Sequence, residues 1–356
     1  MTPRAAFLSF RFSNTDGVSA VARSWIDAFQ GFGFETVTVS GQTGSDRVVP
    51  GMGLEPSGAA PSEIAQDLGT ALRDVDIVVV ENLLTIPMNL DASEAARRVL
   101  QGRRALIHHH DPPWHRERFS QVTALPVDSP GWIHVSINRV LQRELAERGI
   151  NSTMIYNGFR IPDPTALANR DAVRSGVRAM LGVRDDEMLV AHPVRAIERK
   201  NVPVAIELCE YLGATYWLLG PAEEDYASEL DRLVQSAKCR VIHQSVESQF
   251  EIYAACDHVT FPSTWEGFGN PPIEASLHRR SVSIGRYPIG SELRDLGFQW
   301  LDAHDPAAVR ATLVDATGPE SMAALDHNER VARQHFSFER MTQALHGLLS
   351  EAGWLP

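Results

Sequence analysis

Apolar residues along the chain fall into short continuous runs, separated by stretches of helical spacing. AAFLSF (5–10) has the length of one buried strand. A polar, turn-like stretch, RFSNTDG, follows. Val18, Val21, Ala22, Trp25, Ala28 and Phe29 then recur at the interval of a single helix face, and TVTVS (36–40) alternates as a second strand. The order continues with a Gly- and Pro-rich loop over 41–61, a helix over 62–73 and the strand DIVVV (76–80). Further strands fall at 105–109, 132–137 and 152–156, with a helix over 139–149. Pro162 and Pro164 mark a linker, after which the alternation restarts. Helices are predicted over 171–181, 223–237 and 247–255, and strands at 188–192, 215–220, 239–244, 257–261 and 281–285. Helical patterns close the chain at 306–316, 320–334 and 337–352. Strands alternating with helices predict an α/β protein with parallel sheets. The 356 residues suffice for two domains of ordinary size.

Composition narrows the class. No apolar run approaches the roughly 20 residues that span a bilayer. The N-terminus, MTPRAAFLSF, lacks signal-peptide organisation and reads as a first strand. A formal net charge of −12 argues against non-specific nucleic-acid binding. Cys209, Cys239 and Cys256 show no C-x-x-C spacing, which predicts a reduced cytoplasmic setting and no zinc knuckle. Arg97, Arg98, Arg103 and Arg104 form a basic stretch. In so acidic a chain it reads as a solvated helix face, with association at a membrane surface the less favoured alternative.

Candidate chemistry concentrates in Phe261–Ala275, FPSTWEGFGNPPIEA. Glu266 and Glu274 stand eight positions apart, around the turn Gly267-Phe268-Gly269-Asn270. The run HVTF before it ends a strand. Asn270 is a good helix N-cap, and Pro271 suits the first helical position. A strand, a glycine turn and a helix N-terminus together offer backbone N–H groups and a dipole to an anion. Earlier, Arg195, Arg199 and Lys200 follow a strand and precede a helix, where cations can bind phosphate. Glu81 and Asn82, at the carboxyl end of DIVVV, are either acceptor-binding candidates or a strand-end turn. The run His108-His109-His110-Asp111 ends another strand. Side chains alternate there, so His109 points away from its neighbours and a metal site is not expected. Asp74-Val75-Asp76 matches D-x-D, a metal-binding pattern, but lies before its strand. Ligands in open α/β sheets gather beyond the carboxyl ends.

EGFGNPPIEA resembles the E-x7-E signature of the retaining glycosyltransferases of family 4, which have the GT-B fold. The usual form is E-G-F-G-L-P-x-L-E-A. Asn270 and the second proline, Pro272, depart from it. The resemblance implies that Glu266 and the turn Gly267, Phe268, Gly269 and Asn270 lie against the donor sugar, while Glu274 holds the nucleotide ribose. It places Arg195 and Lys200 in an R-x4-K clamp on the donor diphosphate, with Arg199 as a surface neighbour. Gly17 remains from a pair of glycines near the diphosphate, with Asp16 in the other place. An ordinary turn glycine is the equal alternative. His110 and Asp111 match a strand-end pair that touches the transferred sugar, with His109 as the neighbouring choice. Catalytic roles thus fall on Glu266, His110 and Asp111. Val246-Glu247 falls where the family seats the base, and Ile289-Gly290-Ser291-Glu292 resembles a degenerate G-G-x-x-E turn.

The implied architecture is GT-B: two Rossmann-like doubly wound domains facing a central cleft. Residues 1–160 would bind the acceptor, with the helix 337–356 packing back on them, and 161–336 would bind a nucleotide sugar. The implied reaction moves a hexose from a nucleoside-diphosphate sugar to an unidentified hydroxyl acceptor, with retention and with neither metal nor cofactor. A nucleotide-sugar epimerase and a catalytically silent binding protein are the alternatives.

Overall fold

The computed structural model describes residues 2–12 and 17–356. The chain divides into two compact units. The first comprises Met1–Gly158 and Phe338–Pro356, the second Phe159–Ser337.

The first unit is built from β1 (Arg4–Leu8), α1 (Gly17–Gly31), β2 (Glu35–Ser40), β3 (Arg47–Val48), α2 (Pro61–Ala71), β4 (Ile77–Glu81) and α3 (Leu90–Leu100). It continues with β5 (Ala105–His109), β6 (Trp132–Ser136), α4 (Arg139–Ala146) and β7 (Ser152–Met154). Its strands form one sheet in the order β3-β2-β1-β4-β5-β6-β7, and every pair is parallel. Such a sheet is covered on both faces, which is why β4 and β5 are buried throughout. One face packs Trp25 and Phe29 of α1 against Phe7 and Val79. The other packs Ile64 and Leu68 of α2 and Ala92 and Ala96 of α3 against Ala6, Val78 and Val80.

The second unit contains α5 (Pro164–Ala168), α6 (Arg170–Leu181), β8 (Leu189–His192), α7 (Val202–Leu212), β9 (Thr215–Leu218), α8 (Ala227–Ser236), β10 (Val241–His243), α9 (Gln249–Ala255) and β11 (His258–Phe261). Then come α10 (Asn270–Leu277), β12 (Ser281–Ile284), α11 (Pro288–Asp295), β13 (Leu301–Asp302), α12 (Pro306–Val314) and α13 (Pro319–Phe336). Its sheet, β10-β9-β8-β11-β12-β13, is also parallel throughout. The chain then returns to the first unit as α14 (Phe338–Glu351). There Met341, Leu345 and Leu349 join the cluster of Trp25 and Phe29.

In both sheets the strand order reverses between two central neighbours, β1 and β4 in the first and β8 and β11 in the second. The carboxyl ends of such neighbours bound a crevice where doubly wound proteins hold ligands. Several local expectations shift. The stretch 41–61 contains the short strand β3, and the region expected as a linker forms α5, capped by Asp163. Ile289–Glu292 is helical, within α11. The helix expected from Val246-Glu247 begins at Gln249, because the side chain of Ser248 caps it and Glu251 accepts the N–H groups of Glu247 and Ser248.

Leu345 of α14 is fully buried against the first unit's core. Leu345→Ala is expected to cost about 2–5 kcal/mol. Denaturant unfolding that shows less than about 1 kcal/mol would contradict that packing.

Candidate active site

The second sheet positions a charged cluster at its reversal point. After β8 the chain makes a single tight turn over Glu198–Lys200. Asn201 then takes a left-handed conformation, φ 56°, before α7. After β11, residues 262–269 lead into α10. The two loops are tied together: Thr264 N–H donates to Arg199 O at 2.9 Å, and Asn201 Nδ2 donates to Pro262 O at 3.2 Å. Gly285 permits this arrangement, because a Cβ there would lie 2.2 Å from Ser263 O.

Glu266 is the centre of the cluster. Lys200 Nζ donates to both its oxygens at 2.5 and 2.7 Å, Ser263 Oγ donates at 2.6 Å, and Arg199 reaches Oε2 at 3.3 Å. The Glu266 and Lys200 side chains are only 13% and 11% exposed. Burial works against ionising Glu266, but the charges of Lys200 and Arg199 and the hydrogen bonds outweigh it. The pKa therefore lies below the usual carboxylate range. Arg199, expected as a surface neighbour, instead donates to Trp265 O and reaches Glu266. Arg195 pairs with Glu223 at 2.6 Å, on more exposed ground. Beneath the cluster lies His192, the last residue of β8. It is buried, its Nδ1 is 2.9 Å from Tyr216 Oη, and burial lowers its pKa to about 3.

The glycine turn differs from expectation by one position. Gly269, with φ 115°, is the N-cap of α10, and Asn270 is its first helical residue. Only glycine adopts that φ without strain, so it terminates the turn more cheaply than an asparagine cap would. Phe268 is buried, with its ring edge-on to Phe336 at 5.9 Å. Its side chain therefore anchors the turn in the core, and only its backbone is left to meet a donor. Glu274, one turn into α10, accepts from Tyr253 Oη and Gln249 Nε2, each at 3.0 Å. Among the described residues no cation compensates it, and burial raises its pKa despite these two donors.

The first sheet positions a second cluster, at the ends of β4 and β5. Glu81 and His108 are register partners. Glu81 Oε2 lies 2.9 Å from His108 Nδ1 and 2.9 Å from His110 Nε2. Glu81 is fully buried. Burial opposes its charge, but the field of His108 and the two imidazole bonds prevail, and its pKa falls to about 2. Burial also lowers the pKa of His108, whose ring stacks on Trp25 with centroids 4.0 Å apart. Asn82 is left-handed, φ 60°. Its Oδ1 accepts the backbone N–H groups of His110 at 3.2 Å and Asp111 at 2.9 Å, and its Nδ2 is 3.4 Å from Asp111 Oδ2. Glu81 and Asn82 therefore brace His110 and Asp111 instead of reaching out to an acceptor.

His109 points to the opposite face, as strand alternation requires. A chain of 2.8 Å contacts runs there from Thr85 Oγ1 through His109 and His134 to Asp128. The expectation that the histidines lack ligand geometry needs correction. Glu81, His108 and His110 bring three ligand-type atoms within 4.8 Å of one another. The donor set fits a metal poorly, however. Both imidazoles converge on one oxygen at hydrogen-bond distance, and no fourth ligand joins them among the described residues. An ion at those three atoms would leave Glu81 Oε1 and His108 Nε2 buried without partners among the described residues, as they are now. Asp74 and Asp76 of the D-x-D pattern lie at the amino end of β4. Asp74 pairs with Arg4 and Arg47, and Asp76 accepts the Arg4 N–H at 2.8 Å. Gly17 opens α1, while Asp16 lies outside the described residues. Arg97 and Arg98 pair with Glu94 on α3, and no described helix is long and apolar enough to cross a membrane.

Sequence reasoning missed Ser263, Tyr253, Gln249, Trp25 and the partnership of Glu81 with His108 and His110. Only the last carried a signal: aligning the ends of the runs DIVVVE and ALIHHH places Glu81 beside the histidines.

The chain matches no protein-family model. It is 24% identical over 338 residues to mannosylglucosylglycerate synthase of Thermotoga maritima, covering 80% of this chain and 78% of that protein. Among solved structures it resembles the Anabaena protein HepE in complex with UDP-glucose, with TM-score 0.76, 19% identity and 98% and 99% of the two chains covered. It also resembles the sucrose-phosphate synthase of Thermosynechococcus elongatus, with TM-score 0.74, 12% identity and 98% of each chain covered. The chain has the GT-B fold and is a glycosyltransferase, in agreement with the family 4 resemblance of its motifs.

Two stability tests follow from these geometries. Removing one partner of a buried ion pair strands the other, so Lys200→Met should cost about 3 kcal/mol. Adding Glu266→Gln to that variant should recover part of the loss. Strict additivity in denaturant unfolding would show that the two charges do not interact. Glu274 has the opposite sign. A carboxyl whose folded pKa is raised favours folding below its unfolded value, near pH 4, and loses that contribution as pH rises through the folded pKa. Glu274→Gln should therefore melt higher than the parent at pH 7, with the gap closing toward pH 4. An equal or lower melting temperature at pH 7 would contradict the strain assigned to this charge.

Proposed function

We propose that the chain transfers a hexosyl group from a nucleoside-diphosphate hexose to a hydroxyl acceptor, with retention of anomeric configuration and without a metal ion. The observation that carries this reading is the Glu266–Lys200–Arg199 cluster behind the glycine turn, at the reversal point of the second sheet. The second unit binds the donor and the first presents the acceptor. Breaking the bond to the diphosphate places negative charge on the leaving group, which cations and helix N-termini stabilise. Lys200 has three N–H bonds and gives two to Glu266. The third is available to a phosphate oxygen, while Glu266 holds the ammonium in place. Arg195 supplies a second cation from the same loop. Glu266 orients the sugar beside the turn, and Glu274 accepts from the ribose hydroxyls, replacing the Gln249 contact. His110 and Asp111 act on the hydroxyls of the transferred sugar. Retention follows the family resemblance: the acceptor attacks from the leaving-group face, and a diphosphate oxygen helps take its proton.

The name of the Thermotoga relative suggests an acceptor built from a sugar and glycerate, and the HepE complex suggests a uridine nucleotide. A donor panel of UDP-, GDP- and ADP-hexoses with glucosylglycerate as acceptor tests both suggestions. With a working donor, Glu266→Gln should lower kcat by more than it changes bare-diphosphate affinity, which it touches only through the loosened Lys200 ammonium. Glu274→Ala should weaken binding of the bare diphosphate. Steady-state kinetics and calorimetry read the two effects, and the reverse pattern would refute the donor placement. Activity should survive a chelator. Its abolition would refute the metal-free mechanism and direct attention to Glu81, His108 and His110.

A further inference from the structure

We infer that Glu81 is a positioning residue that fixes the tautomer of His110, so that His110 Nδ1 presents a lone pair to a sugar hydroxyl. This rests on the reading above in which His110 meets the sugar, and it adds the group that sets how His110 does so.

An ionised carboxylate only accepts hydrogen bonds. With Glu81 Oε2 at 2.9 Å from both rings, the hydrogens must come from His110 Nε2 and His108 Nδ1. In its neutral form each ring carries one N–H, and the opposite nitrogen is then an acceptor: Nδ1 in His110 and Nε2 in His108. The two rings then have different fates. His108 is sealed, with no side-chain exposure, a face against Trp25 and an Nε2 without a partner among the described residues. His110 retains 6% side-chain exposure, so among the three it alone opens to a ligand. His108 thus serves as a second donor that helps keep a carboxylate charged in a dry place.

The backbone holds the same ring from the other side. Asn82 adopts a left-handed conformation, uncommon outside glycine, and from it Oδ1 accepts the N–H groups of His110 and Asp111. Ring and main chain of His110 are therefore both fixed by consecutive residues of one strand end. An acceptor nitrogen backed by a carboxylate selects its partner by chemistry. It takes the O–H of a hydroxyl and repels a phosphate oxygen, which carries no hydrogen to give at neutral pH.

Long-range ¹H–¹⁵N correlation on ¹⁵N-labelled protein reads the tautomers directly, with His108→Gln and His110→Gln as assignment controls. The expected wild-type result is His110 protonated at Nε2 and His108 at Nδ1. Finding His110 protonated at Nδ1 overturns the inference, and this measurement stands even if no Glu81 variant folds. Glu81→Gln is a poor probe, because one carboxamide oxygen in the place of Oε2 could still accept from both rings. In Glu81→Leu no acceptor faces His110 Nε2, and a proton kept there would be buried without a partner. His110 should then show Nδ1–H, and kcat with whichever hexose donor of the panel turns over should fall about tenfold or more. Affinity for the bare nucleoside diphosphate should be unchanged. If His110→Gln lowers kcat and Glu81→Leu does not, the positioning role is wrong. If His110→Gln itself leaves kcat unchanged, the sugar contact of the underlying reading fails instead.

Discussion

A carboxylate withdrawn from water must be paired with a cation, hydrogen-bonded or left straining toward protonation. Three glutamates at strand or helix ends meet that demand in three ways. Glu266 has the cations Lys200 and Arg199. Glu81 has two imidazoles, and Glu274 has a phenol and an amide. The first two keep their charge below the ordinary pKa, and the third is pushed up. Each partner set also defines what the glutamate can still do. Glu266 steers an ammonium, Glu81 steers two rings, and Glu274, held only by weak neutral donors, can exchange them for hydroxyl groups of a ligand.

These placements depend on parallel sheets. In a parallel sheet all carboxyl ends lie along one edge, so residues distant in sequence meet there without long loops. Lys200 and Glu266 are 66 positions apart, yet they touch because β8 and β11 are neighbours. Glu81 and His108, 27 apart, touch because β4 and β5 are. The amino edge serves stability instead: there Asp74 and Asp76 secure Arg4 and Arg47. The same residue type thus does different work at the two edges of one sheet.

The alternation of strands and helices was legible because buried parallel strands are nearly continuous apolar runs. That the glycine turn follows its strand and that D-x-D precedes one were legible for related reasons, since chain direction alone says which end of a strand a residue occupies, although the helix cap fell on Gly269 and not on Asn270. Pairing across strands was not. That Lys200 also pairs with Glu266 shows only once β8 and β11 are seen side by side, and Arg199 reads as a surface residue until its carbonyl is seen tied to Thr264. Phe268 reads as part of a ligand turn, yet its ring belongs to the cluster of Phe336 and Phe298. Side-chain direction inside a turn depends on tertiary packing, which no local pattern records.

The two clusters also differ in what they ask of a ligand. Around Glu266 the charges compensate one another, so a bound diphosphate must share Lys200 with a glutamate already held by Ser263 and Arg199. That sharing favours a ligand bringing two features at once, an anion for the ammonium and hydroxyls for the carboxylate. A bare phosphate satisfies only the first, and a free sugar only the second. Around Glu81 the charge is spent internally, and the open ring of His110 has a lone pair but no proton to offer at Nδ1. A sugar hydroxyl can donate to it, whereas a diphosphate oxygen cannot. The polarity of the second unit's cluster therefore suits the leaving group and that of the first unit's cluster suits hydroxyls, a division set by which partners each buried carboxylate found along its sheet edge.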